Sequence, residues 1–141
     1  MGTNNILAGG VVGGIVSLLA GYLIWGIGLE SMVADSPMGS MMLETPNFLW
    51  LGLGCLAGGL LVSYIFAKWA SISTAMGGMQ GGAIMGLLLG LNQTLIMLGT
   101  STATTLNLAI VDTIAFTVMY ALVGAAVGWT LGRTKKALQP A

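Results

Sequence analysis

Four long apolar segments cover most of this 141-residue chain, at about residues 5–29, 46–68, 77–98 and 106–132. Each has about the 20 residues that a helix needs to cross a hydrocarbon layer of about 30 Å. Only 6% of all residues are charged, whereas about 25% is usual in a soluble domain. We therefore predict an all-α fold, a bundle of four transmembrane helices that forms a single membrane domain over residues 1–141.

The third segment has a regular glycine pattern with four-residue spacing, so a helix there has one face without side chains. In water each such glycine would cost the helix about 1 kcal/mol relative to alanine, but in lipid the backbone has no other hydrogen-bonding partner. A bare face lets a neighbouring helix approach closely. We predict helix packing for these glycines and for others in the remaining segments: Gly78, Gly82, Gly86, Gly90, Gly124, Gly128, Gly132, Gly10, Gly14, Gly54 and Gly58.

The four segments carry more glycine faces than one small bundle needs. We expect the faces of the first, third and fourth segments to pack within the bundle. The glycines of the second segment are then left for an outside partner: Gly52, Gly54, Gly58 and Gly59.

The few basic residues predict an orientation. Lys68 follows the second segment, and Arg133, Lys135 and Lys136 follow the fourth, while the loops at 30–45 and 99–105 contain no Lys or Arg. Basic residues favour the cytoplasmic side of a membrane. Both termini and the tail 133–141 are therefore predicted to be cytoplasmic (N-in, C-in), and the loop 30–45 faces outward.

Composition argues against several classes of function. The chain has no histidine and one cysteine, Cys55, so it lacks the commonest metal ligand and the usual general base. We predict that it is not an enzyme and holds no cofactor or metal. Methionines in the outward loop suit copper(I), but no His or Cys lies beside them to complete a site. A net charge of zero makes nucleic acid an unexpected partner.

Asp112 is the one acidic residue well inside an apolar segment. A carboxyl group there is costly and points to a functional role with a named partner. In adjacent antiparallel helices Asn92 and Gln93 reach the same depth as Asp112, about 8 Å from the outer ends. The predicted intramembrane polar site contains Asp112, Asn92, Gln93, Thr94 and Thr113, with Thr117 nearby.

Two interpretations of Asp112 stay open. In one it titrates, or coordinates a proton, a cation or a small polar solute. In the other it is protonated, or hydrogen-bonded to Asn92 and Asn107, and only joins helices.

Two functions follow. The first is a non-enzymatic multi-pass membrane protein that acts by helix packing, as a homo-oligomer or as an accessory subunit of a larger membrane complex. The alternative is a small channel or carrier that uses Asp112 with Asn92 and Gln93. The expected partners are the lipid bilayer and either further copies of the chain or other membrane proteins.

Four stretches resemble a family of small bacterial four-helix membrane proteins known only as a domain of unknown function. They are Asn5 to Gly10, Gly21 to Gly26, Tyr64 to Thr74 and Gly124 to Gly132. The resemblance extends over nearly the full chain. It implies a four-helix protein of the bacterial inner membrane and supplies no activity and no site residues.

Overall fold

The computed structural model of the chain describes residues 2–43 and 45–137, with side chains as far as residue 135. All secondary structure in these ranges is helical. The α-helices are α1 (Thr3–Gly21), α2 (Glu30–Ala34), α3 (Phe48–Ile65), α4 (Ala75–Thr100) and α5 (Leu106–Ala137). Two π-helical segments, Tyr22–Gly28 and Phe66–Ala70, continue α1 and α3, and a 3₁₀ turn, Gly39–Met41, lies in the first loop.

Within the described residues, four helical stretches are long and apolar enough to cross a membrane: Thr3–Gly28, Phe48–Ala70, Ala75–Thr100 and Leu106–Lys135. The prediction of an all-helical chain with four membrane-length helices is confirmed. The observed ends lie within a helical turn of the predicted ones, except the end of α5. The fourth helix is longer than expected, because α5 takes in the first residues of the predicted tail 133–141. Glu44 of the predicted loop and residues 138–141 of that tail lie outside the described residues.

Local side-chain caps set where the later helices begin. The Asn47 carboxamide oxygen accepts hydrogen bonds from the backbone N–H groups of Leu49 and Trp50, so α3 begins at Phe48 rather than at the preceding proline. The Thr74 hydroxyl caps α4 by accepting from the N–H of Gly77 at 3.1 Å. Such caps satisfy backbone donors that have no partner within the helix.

The four long helices do not pack symmetrically. Helix α1 packs against α3 and α5, whereas α4 packs almost entirely against α5. The buried apolar core accordingly comes from α1, α3 with its π-helical end, and α5: Ala20, Val62, Phe66, Met119, Val123, Val127 and Leu131. One side of α4 is therefore held in the bundle, and its opposite side is uncovered.

Glycines form the contact between α4 and α5. A Cβ atom at Gly78 would run into the carbonyl oxygen of Gly124, and one at Gly82 would run into the carbonyl oxygen of Tyr120. Further along, a Cβ at Gly90 would lie 3.1 Å from the Cα of Thr113. The two backbones touch because no side chain separates them.

A second glycine contact joins α1 to α3. A Cβ at Gly13 would lie 3.1 Å from the Cα of Gly59, and one at Gly14 would lie 2.9 Å from the Cα of Leu56. Gly59 thus packs inside the bundle, and its assignment to an outside partner was wrong. The reason is that Gly13 and Gly14 of α1 bring the backbones of α1 and α3 so close that only a glycine fits at residue 59.

The other glycines of α3 are differently placed. An added Cβ at Gly52 or Gly54 would meet nothing within 4 Å beyond its chain neighbours and the backbone of its own helix, and one at Gly58 would lie 3.5 Å from the hydroxyl oxygen of Tyr120. Because residues 52 and 54 are about 200° apart around the helix, the start of α3 is uncovered on opposite sides.

We predict that Gly86→Ala destabilises the fold by about 2–3 kcal/mol. The added Cβ would lie 2.5 Å from the carbonyl oxygen of Phe116 and 2.9 Å from the Cα of Thr117, and backbone atoms cannot rotate away. Unfolding in detergent micelles measures the loss. The matched control is Gly52→Ala, which enters open space and should leave stability unchanged or slightly raised. Equal effects of the two substitutions would contradict the assigned contact.

Candidate functional site

A hydrogen bond between α1 and α5 holds the intramembrane acid. The indole N–H of Trp25 donates to a carboxylate oxygen of Asp112 at 2.6 Å. Both side chains are partly buried. Polar side chains that hydrogen-bond across helices are a common link in membrane bundles, so this pair ties two helices together. Sequence analysis did not pair Trp25 with Asp112.

The π-helical segment and the aromatic side chains of α5 position the indole ring. Trp25 lies in the segment Tyr22–Gly28, whose wider turns shift side chains relative to a regular α-helix. Its ring meets Phe116 edge-on, with centroids 5.2 Å apart and planes at 66°. Phe116 in turn stacks with Tyr120 at 6.3 Å. The indole therefore packs against a fixed aromatic surface while its N–H reaches the carboxylate.

Two threonines of the predicted polar site do meet. The hydroxyls of Thr94 and Thr113 lie 3.1 Å apart across the contact between α4 and α5. Each hydroxyl oxygen also lies 2.8 Å from a carbonyl of its own helix, Thr94 from Gly90 and Thr113 from Ala109. Because each hydroxyl has one proton, one threonine donates to the other and the second donates to its own carbonyl. Both residues are buried. The pair joins α4 to α5, and an open, mostly apolar groove of about 190 Å³ lies beside it.

The two amides of the predicted site lie elsewhere. Asn92 and Gln93 are exposed on α4, and neither donates to Asp112 among the hydrogen bonds of the described residues. Asn107, the other predicted partner of the acid, is exposed near the start of α5. Thr117 donates to the Thr113 carbonyl on its own helix. The expected convergence of Asp112 with Asn92 and Gln93 is therefore not formed within one chain, because α4 presents its glycines and Thr94 to α5 and turns the amides away.

An open cleft lies one turn from Asp112, toward the start of α5. It has a volume of about 440 Å³ and lies between the first loop and the residues around Leu108. Polar residues contribute to its wall: Ser31, Asp35, Ser36, Thr105 and Asn107. Across the described part of the chain, no group of three His, Cys, Asp or Glu side chains is placed to hold a metal ion. The cleft is an open recess at the acidic end of the bundle, with a wall that is mainly apolar and includes these polar groups.

A buried hydroxyl also joins two helices, at the other end of the bundle. Ser63 of α3 is fully buried and donates to the carbonyl of Ile6 in α1 at 2.8 Å. Its spacing from Gly59, four residues earlier, was the available signal, since small residues at that spacing mark a helix contact.

No family model, curated protein or solved structure matches the chain. The resemblance drawn from the four sequence stretches therefore stays a prediction.

We predict that Trp25→Phe lowers the free energy of unfolding by about 1–3 kcal/mol, since it leaves a partly buried carboxylate without its donor. The phenyl ring keeps most of the packing on Phe116, so the loss reports mainly the hydrogen bond. Unfolding in detergent micelles provides the measurement.

Trp50→Phe is the control, because Trp50 is 70% exposed and bonds to neighbours only through its backbone. If the two substitutions cost the same, the contact between Trp25 and Asp112 contributes nothing to stability.

Proposed function

We propose that the chain is a non-enzymatic multi-pass membrane protein that acts by helix packing, as a homo-oligomer or as an accessory subunit of a larger complex. The observation that carries the proposal is the exposure of Asn92 and Gln93 on a membrane-length helix. Amides facing hydrocarbon lack hydrogen-bond partners, which costs several kcal/mol per group. A neighbouring protein that covers this side of α4 removes the cost.

The polar groups inside the bundle support the same function. Asp112, Thr94, Thr113 and Ser63 each bond across a helix contact. They behave as links between helices, the use that membrane bundles commonly make of such residues. Helix packing thus accounts for their placement without a substrate.

The distribution of charge along the bundle supports the orientation with both termini in the cytoplasm. Near the start of α1, Gly9 lies beside Ser63 of α3 and Leu131 of α5. The ends carrying Lys68 and Arg133 therefore lie at the same end of the bundle as the N-terminus. Because basic residues favour the cytoplasmic side of a membrane, this end is expected to face the cytoplasm. The resemblance to bacterial proteins implies the inner membrane.

The test is the mass and composition of the particle that the protein forms when it is extracted gently from its native membrane. We predict a particle with more than one polypeptide, either several copies of the chain or the chain with other membrane proteins. A particle that contains a single copy and no other protein would refute the proposal.

One observation favours the alternative, a small channel or carrier. The Asp112 carboxylate has one oxygen bonded to Trp25, and its other oxygen accepts no hydrogen bond from the described residues. The open cleft beside the first loop lies about 6 Å away along α5, at the rise of 1.5 Å per residue. In this form of the alternative, Asp112 works with Trp25 rather than with Asn92 and Gln93.

The alternative predicts that the protein in liposomes conducts protons or Na⁺ down an imposed gradient, and that Asp112→Asn abolishes the flux while the fold is kept. The asparagine retains an oxygen that accepts from Trp25, so the link between α1 and α5 survives. Thr130→Val, a change at a hydroxyl bonded only within α5, is the control. Absence of flux in the unaltered protein, or equal flux in Asp112→Asn, would exclude this alternative.

A further inference from the structure

We propose that two copies of this chain pair through the uncovered side of α4, with Asn92 of one copy hydrogen-bonded to Asn92 of the other. The inference rests on the proposed function and names the surface and the partner that it requires. We call this surface the outer face of α4 and define it by Leu88, Asn92, Leu95 and Gly99.

The position of Asn92 around the helix puts it on the side away from the bundle. At its level α4 contacts α5 through Gly90 and Thr94. Asn92 is two residues from each, which is about 200° around an α-helix. It is exposed, and Gln93 lies about 100° to one side. Within residues 2–43 and 45–137 no other element covers Asn92, because α4 packs almost entirely against α5.

The outer face has the spacing of a helix pairing seam. Its residues alternate between four-residue and three-residue steps, the pattern that keeps one face toward a partner along left-handed helix pairs. Leu88 and Leu95 are each 61% exposed. An added Cβ at Gly99 would meet nothing within 4 Å beyond its chain neighbours and the backbone of its own helix. Leu88 and Leu95 therefore lie on either side of Asn92 along this face. Gly99 follows, and its lack of a side chain lets the α4 helices of two copies approach closely there.

The depth of Asn92 makes its exposure costly. It lies eight residues before the end of α4 at Thr100, about 12 Å along the helix. An asparagine side chain is too short to reach the interface from there. Its carboxamide has two N–H donors and one acceptor oxygen, all of which need partners in hydrocarbon.

A second copy is the occupant that this face fits best. Two copies related by a twofold axis along the membrane normal bring the same residue to the same depth, and the contact is then self-complementary. A carboxamide both donates and accepts, so Asn92 can pair with its own equivalent. Helix α4 has no charged residue from Ala75 to Thr100, so two copies do not repel each other.

The start of α3 is a weaker candidate. Gly52 and Gly54 leave space there, yet the surrounding exposed side chains are apolar, Leu51 and Leu53 among them. Lipid covers such a surface as well as a protein does. Unlike the outer face of α4, the start of α3 carries no deep polar group that needs a partner.

The first experiment is disulfide cross-linking in native membranes, with copper phenanthroline as oxidant, in a Cys55→Ala background. We expect Leu88→Cys and Leu95→Cys each to give a covalent dimer. Leu19→Cys on α1 is the matched control, because Leu19 is 59% exposed. Leu53→Cys tests whether copies pair through the exposed start of α3. Neither should cross-link. Dimers from Leu53→Cys or Leu19→Cys without dimers from Leu88→Cys and Leu95→Cys would overturn the proposal.

The second experiment measures dimer dissociation in lipid by energy transfer between labelled copies at increasing dilution. Asn92→Leu should weaken the dimer about tenfold, within the range known for polar contacts between membrane helices. Asn92→Gln should restore most of the affinity. Gln93→Leu is the matched control, an adjacent amide off the seam, and should have little effect. Equal weakening by Asn92→Leu and Gln93→Leu would show that no specific pairing at residue 92 exists.

The outcomes separate this inference from the proposed function. A particle of several polypeptides whose Leu88→Cys and Leu95→Cys forms do not cross-link would refute the α4 dimer and leave helix packing as the function. A particle with one copy and no other protein would refute both.

Discussion

The direct contact between the backbones of α4 and α5 is the constraint on which much of this structure depends. Glycines recur at four-residue spacing on both helices, and added Cβ atoms at Gly78 and Gly124 would each run into the backbone of the facing helix. Close approach maximises van der Waals contact between helices where the hydrophobic effect provides no drive to associate. It also fixes the rotation of α4. Once its glycines and Thr94 face α5, the remaining polar residues of that helix can only point elsewhere. The exposure of Asn92 and the burial of Thr94 are therefore two results of one contact.

The four membrane-length helices could be predicted from the sequence because hydropathy and length are properties of whole segments and do not depend on which neighbours meet. A run of about 20 apolar residues has few folding options in a membrane, so all helix ends except that of α5 could be located within a turn. The caps at Asn47 and Thr74 were not predicted, although both are residue types that cap helices. The helical start of the tail was missed because a basic, polar segment gives no apolar periodicity to read.

The candidate site was harder to predict because it depends on which neighbours meet. Sequence reasoning assumed that α4 would turn its amides toward α5, although its glycines were expected to pack as well, and both cannot occupy one face at the same level. Trp25 escaped notice as the partner of Asp112 because a tryptophan near a segment end usually lies at the membrane interface. The π-helical turns that bring it inward have no sequence signal of their own. Thr94 and Thr113 were included in the predicted site for their depth, and they meet because both lie on the glycine side of their helices.

The dependence of α4 on a single neighbour also has a consequence for the order of assembly. During synthesis the N-terminal segments emerge first, and α1 and α3 have each other to pack against through Gly13 and Gly59. Helix α4 emerges next and finds almost nothing on that pair to bind. Its glycine face stays uncovered until α5 has been made, so α4 and α5 enter the bundle together. The bundle is thus completed by its last helix, which contacts each of the other three long helices and contributes most of the buried core.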